Sequence, residues 1–138
     1  MGTLYLDSNI LLNVLLEEED FVESSFELLQ DIEAGKYSAL TSLLTIMEIH
    51  RILQKHGKKE KEIAEVIQKI PGIGIEIIIP EREDMVSSYE FVRTLKIDPA
   101  DSIHLSVAME SSTIFVTRDE ELSKKISSVI KVVKPEEL

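Results

Sequence analysis

Leu4-Tyr5-Leu6-Asp7-Ser8-Asn9 is the stretch on which the fold turns. Three apolar residues bounded by polar ones are too few for a helix and read as a buried strand, with Asp7 at its carboxyl end. The pattern then becomes helical over residues 9–16. Val22, Phe26, Leu29 and Ile32 recur at spacings of four and three, which predicts a second amphipathic helix stopping at Gly35. Residues 37–40 are the next strand candidate. An apolar helix follows over residues 43–55, then a charged one over residues 58–70 that Pro71 and Gly72 are expected to break. Residues 75–79, β-branched at four of five positions and closed by Pro80, give the strongest strand signal and are expected at the centre of the sheet.

Met85, Tyr89, Val92 and Lys96 mark another helix. Asp98-Pro99-Ala100-Asp101 then carries a helix start, a capping residue followed by proline in the first turn. Residues 113–117 read as a strand, 120–126 as a short helix and 129–133 as a last strand. Strand candidates separated by helices imply a parallel sheet with helices on both faces, because parallel neighbours need crossover connections. The expectation is a single three-layer α/β/α domain over residues 1–138. Ligands of such sheets bind beyond the carboxyl ends of the strands.

The 138 residues suit one compact domain, and a composition of 43% hydrophobic and 30% charged residues excludes disorder and collagen. No apolar run approaches the ~18 residues that span a bilayer, and MGTLYLDSN has no leader-peptide pattern, so a cytoplasmic protein with no membrane partner is expected. The absence of cysteine removes disulfides, thiol catalysis, thiolate zinc sites and iron–sulfur clusters. What remains is chemistry by oxygen or imidazole. With 15 Lys+Arg against 26 Asp+Glu, the net charge of -11 repels a polyanion overall, although converging carboxylates that hold a cation reverse the sign locally.

Four acids fit that exception. Asp7 ends the first strand, Asp119 follows the fourth, and Asp101 lies in the first turn of a helix whose connection leaves from the same rim. Glu48 sits between Leu44 and Ile52 along one helical stripe, where burying an unpaired carboxylate costs several kcal/mol in principle, so it needs a partner or a cation. Two like charges ~4 Å apart repel by ~4 kcal/mol at an effective dielectric of about 20, which a divalent ion relieves. All-oxygen donors suit Mg²⁺ or Mn²⁺, and a hydrated ion of that kind serves phosphodiester hydrolysis.

LYLDSN (residues 4–9), LTIMEIHRIL (44–53), DPADSIHLSVA (98–108) and FVTRDEEL (115–122) occur in the order and at about the spacing found in PIN-domain ribonucleases, including VapC-like toxins. The chain resembles that family over almost its whole length. The resemblance implies that Asp7, Glu48, Asp101 and Asp119 are the acidic quartet and that Asn9 and Thr117 are its polar helpers. It further implies a parallel sheet of order 3-2-1-4-5, Mg²⁺ or Mn²⁺ as cofactor, an RNA substrate, an antitoxin partner and a homodimer. Leu122 stands where many members carry an aromatic residue, and Leu105 where a small one is common.

Each acid also has a structural reading. Asp7 and Asp119 are candidate helix caps, Asp98 is better explained as the cap before Pro99 than as a ligand, and Asp101 complements the helix dipole. For Glu48 the competitor is an ion pair with Arg51. His104 lies on an apolar face and reads as a satisfied core histidine, as do His50 and His56. Lys55, Lys58, Lys59 and Lys61 with Arg51 read as a solvated helix face rather than an RNA cradle. A noncatalytic RNA-binding or scaffold domain is the main rival to a nuclease. A receiver-type phosphoacceptor fits poorly, since Pro80 and Glu81 follow the third strand where that chemistry needs an aspartate.

Overall fold

Alternation along short strands sorts the apolar side chains onto two faces of one sheet. The computed structural model describes residues 2–111 and 114–138. In chain order the elements are β1 (Leu4–Leu6), α1 (Ser8–Leu15), α2 (Val22–Glu33), β2 (Ala39–Ser42), α3 (Leu43–Lys55), α4 (Glu60–Gly72), β3 (Ile75–Ile78), α5 (Arg82–Leu95), α6 (Pro99–Ser111), β4 (Ile114–Val116), α7 (Glu120–Ile126) and β5 (Lys131–Val133), followed by a 3₁₀ turn at Pro135–Glu137. The strands form one parallel sheet of order β3-β2-β1-β4-β5. Leu4 and Leu6, with Ala39, Ile75, Val116 and Val133, face a layer built from α1, α2, α3 and α4 through Ile10, Leu28, Ile49 and Ile63. Tyr5, Leu40 and Phe115 point the other way, onto Leu105 and Ala108 of α6 and Leu122 and Ile126 of α7. The three-layer α/β/α expectation is thus met, at ~1.5–3 kcal/mol for each fully buried Leu, Ile or Phe.

Most helices lie within two residues of where periodicity puts them, and α3 and α7 coincide. α2 ends as expected, with Gly35 at φ 83° in the left-handed region that glycine enters without a Cβ clash.

Several expectations are corrected. β3 is an edge strand, not the central one: Glu76 is exposed, Ile77 and Ile78 are only half-buried, and Ile79 beyond the strand is 69% exposed. β-branching reports a fit to a pleated, half-buried surface, not a place in the sheet. The centre belongs to β1, whose three residues are all fully buried. β2 runs over Ala39–Ser42 rather than residues 37–40, because Thr41 is accommodated inside the sheet by donating its hydroxyl to the Leu6 carbonyl at 2.7 Å. α4 continues through Pro71 to Gly72; in the last turn a proline forfeits only one helical hydrogen bond before the chain turns. β4 and β5 are shorter than expected at Ile114–Val116 and Lys131–Val133, and Thr113 lies outside the described residues.

Candidate metal centre

The sheet order sends the chain from β1 to β2 and β3 on one side and to β4 and β5 on the other, so β1 and β4 flank the switch point where parallel sheets open a crevice. Leu6 pairs with Val116, and the next residue on each strand is polar: Asp7 and Thr117. The Asp7 backbone N–H donates to the Val116 carbonyl at 3.0 Å. Thr117 Oγ1 donates to Asp7 Oδ2 at 2.7 Å, and Asn9 Nδ2 donates both to Asp7 Oδ2 and to Thr117 Oγ1, each at 3.1 Å. Asn9 is itself oriented by the Arg118 backbone N–H, which donates to its Oδ1 at 3.2 Å. The remaining Asp7 oxygen, Oδ1, accepts from Ser8 N–H at 2.8 Å and caps α1.

α3 brings Glu48 to the same place, and α6 brings His104. One donor atom each from Asp7, Glu48 and His104 lie within 4.8 Å of one another. His104 Nε2 is 2.9 Å from Glu48 Oε1, so the partner that Glu48 requires is His104 rather than Arg51, which is exposed. His104 is 1% exposed and satisfied at both nitrogens, as a core histidine should be, but its partners belong to the acidic rim. The sequence reads it as a core histidine, and its place three residues after Asp101 puts both on one helical face. His50 is only half-buried, near Glu60 at 3.3 Å, and His56 is exposed, so neither is a core histidine. The lysines after α3 are exposed, as a solvated face requires.

Asp101 and Asp119 line an adjoining cleft of about 170 Å³ with Ile97, Asp98, Glu121, Leu122 and Lys125. Asp98 Oδ1 accepts from Ala100 N–H at 2.8 Å, the capping role read from Pro99. Asp119 caps α7 by accepting from Leu122 N–H at 3.0 Å, and its own N–H donates to Thr117 Oγ1 at 3.1 Å. Lys125 donates to the Lys96 carbonyl at 3.0 Å, so the cleft's cation is already engaged. Leu105 and Leu122, the departures from the family pattern, are both buried beneath the rim.

The electrostatics tie the two halves together. Burial pushes the Asp7 carboxyl up from its usual range; the charge of Glu48 adds to this, while His104, Thr117 and the Ser8 amide oppose it. Burial also pushes Asp101 up to about 6, with the charges of Asp7, Asp98 and Asp119 adding and His104 opposing. Burial alone would lower the His104 pKa, but the Glu48 hydrogen bond and the charges of Asp7, Glu48 and Asp101 outweigh it and raise it. Among the described residues no donor reaches the Asp101 carboxylate. A half-buried carboxylate unpaired among the described residues, beside further acids, offers the oxygen donors that a hard divalent cation takes.

Fold and rim define a parallel α/β domain with carboxylates gathered at its switch point. The PIN domain profile matches residues 4–126, and the chain belongs to the PIN domain family. Its fold is that of VapC toxins. It is similar to a toxin–antitoxin complex from Klebsiella pneumoniae at 21% identity (TM-score 0.69), covering 95% of this chain and 96% of that one. VapBC2 from Rickettsia felis, bound to a DNA fragment from its promoter, is similar at 19% identity (TM-score 0.70), covering 96% and 98%. VapC20 from Mycobacterium tuberculosis, a toxin that cleaves the sarcin–ricin loop, is similar at 12% identity (TM-score 0.75), covering 96% and 99%. No curated protein sequence matches the chain significantly. No helix among the described residues is long and apolar enough to cross a membrane.

Proposed function

We propose that the protein is a divalent-metal-dependent endoribonuclease acting as the toxin of a toxin–antitoxin pair. The observation that supports this reading is that donor atoms of Asp7, Glu48 and His104 lie within 4.8 Å of one another beside a cleft lined by Asp101 and Asp119, with Asp101 unpaired among the described residues and its pKa raised to about 6. Those four residues would hold Mg²⁺ or Mn²⁺. When bound, such a cation supplies acidity toward water and charge neutralisation toward phosphate. Thr117 and Asn9 hold Asp7 in one rotamer by donating to its Oδ2. The RNA substrate is supported by family membership and by VapC20, whose own target is the sarcin–ricin loop. An antitoxin partner is supported by the VapBC relatives, which are complexes. Exposed Ile79, Met85, Val86 and Tyr89 support a homodimer.

The test is cleavage of mixed RNA by purified protein with Mn²⁺, with Mn²⁺ and chelator, and with Asp101→Asn. Cleavage is expected only in the first condition. Cleavage by Asp101→Asn at the native rate rejects the assignment of that site, and no cleavage by the native chain with Mn²⁺ favours a noncatalytic RNA-binding domain.

A further inference from the structure

Tyr5, His104 and Glu48 come from the central strand, α6 and α3, and they form one line of hydrogen bonds. Tyr5 Oη is 2.5 Å from His104 Nδ1, and His104 Nε2 is 2.9 Å from Glu48 Oε1. Tyr5 and His104 are fully buried, whereas the Glu48 side chain is 32% exposed. The Tyr5 ring is itself held, stacked on Phe115 at 5.2 Å and edge-on to His104 at 5.8 Å.

The direction of the line follows from chemistry. Ionised Glu48 only accepts, so His104 Nε2 must carry a proton whether the ring is neutral or charged. A neutral ring then has its lone pair on Nδ1, where the Tyr5 hydroxyl donates. Neither nitrogen is left to ligate a cation, although His104 stands within ligand distance of Asp7 and Glu48. One Glu48 oxygen is occupied by His104, and the other has no partner among the described residues.

We infer that Tyr5 and His104 are positioning residues that hold Glu48 in a single orientation, with one carboxylate oxygen tied back and the other presented to the cation. This deepens the reading of Glu48 as a metal-holding residue and rests on it. A glutamate on a partly exposed helix face samples several rotamers, and a fixed donor behind it selects one before the cation arrives.

The experiment measures Mn²⁺ affinity of the full chain from the electron paramagnetic resonance of free Mn²⁺, with no RNA present. His104→Leu should weaken binding by about 10- to 100-fold. His104→Gln, which keeps a donor on a side chain of similar reach, should recover most of that loss, and Tyr5→Phe should lose less than His104→Leu. In a Glu48→Ala background none of these substitutions should weaken binding further. Nitrogen-15 spectra of the His104 ring should show Nε2 protonated before and after diamagnetic Mg²⁺ is added. Loss of that proton on Mg²⁺ binding makes His104 a direct ligand and overturns the inference, as does unchanged affinity in His104→Leu. If the native chain binds no Mn²⁺, the metal reading falls and takes the inference with it. If affinities follow the expected order but the chain cuts no RNA, the positioning line stands and only the nuclease reading is lost.

Discussion

Asp101→Asn should make the metal-free protein more stable, and by an amount that depends on pH. The carboxyl ionises near 3.8 in an unfolded chain and near 6 in the fold, raised first by burial and then by the charges of Asp7, Asp98 and Asp119. At about 1.4 kcal/mol per pH unit this displacement amounts to ~3 kcal/mol. The group is only partly buried, so solvent screening reduces the figure to about 1–2 kcal/mol. A folded pKa above the unfolded one means the protonated group favours the fold: its contribution is fully present below pH 3.8 and is lost as pH rises through about 6. Asparagine removes that penalty at neutral pH, but it also removes a favourable charge from the first turn of α6, worth ~0.3–1 kcal/mol. The net expectation is a gain of about 1 kcal/mol at pH 7.5, read from urea midpoints in chelator, that shrinks to less than about half near pH 4.5. A variant less stable than the native chain at pH 7.5, or a difference that does not change between the two pH values, refutes the claim that Asp101 is an uncompensated charge.

Other substitutions separate capping from cation holding. Asp119→Ser keeps a side-chain acceptor for Leu122 N–H, so thermal unfolding should shift by no more than about 1 kcal/mol, while Mn²⁺ affinity falls. Thr117→Val leaves Asp7 without its 2.7 Å donor in a buried setting; urea unfolding should register a loss of about 1–3 kcal/mol. Arg118 is a clasp for the C-terminus: its guanidinium donates to Asn13 at 2.7 Å, Ser24 at 2.7 Å and Glu136 at 2.8 Å, and lies over the Phe21 ring at 4.7 Å. Arg118→Ala should cost about 1–3 kcal/mol and speed proteolysis of the last residues, measured by limited digestion.

Local chemistry made much of this legible. Residues 4–6 are short, apolar and followed by an acid, and only a buried strand suits them; the three- and four-residue spacings of α2 and α3 admit only helices. What resisted reading depended on partners far along the chain. Thr41 and Ser42 look like loop residues until Thr41 finds the Leu6 carbonyl 35 positions away. The edge position of β3 rests on which strands pair, and its one local sign, the exposed Glu76, is outweighed by the isoleucines around it. At the site, Asp7, Asp101 and Asp119 drew attention because each stands at the end of an element, and Glu48 because it interrupts an apolar helical stripe. His104 did not, because an imidazole on an apolar face carries no mark of whether its partner is a core carbonyl or a functional carboxylate. Tyr5, 99 positions away, and Glu48, 56 positions away, supply the answer.

The structural and functional readings of the acids are not alternatives. Asp7 caps α1 with Oδ1 and takes Thr117 and Asn9 on Oδ2; Asp119 caps α7 with Oδ1 and lines the cleft; Asp101 occupies the dipole-favoured first turn of α6. A helix N-terminus accommodates a carboxylate because unpaired N–H groups and the positive end of the dipole offset part of its charge. In a parallel α/β sheet those termini all open at the carboxyl ends of the strands. The fold therefore offers acids a favourable seat at the rim where they also meet one another. Capping alone, however, gives no reason to bring a fourth carboxylate, Glu48, from α3 into the same space. Nor does it explain the buried imidazole and phenol behind Glu48, which contribute to no helix end. That surplus is what the proposed cation-holding role accounts for and helix capping does not.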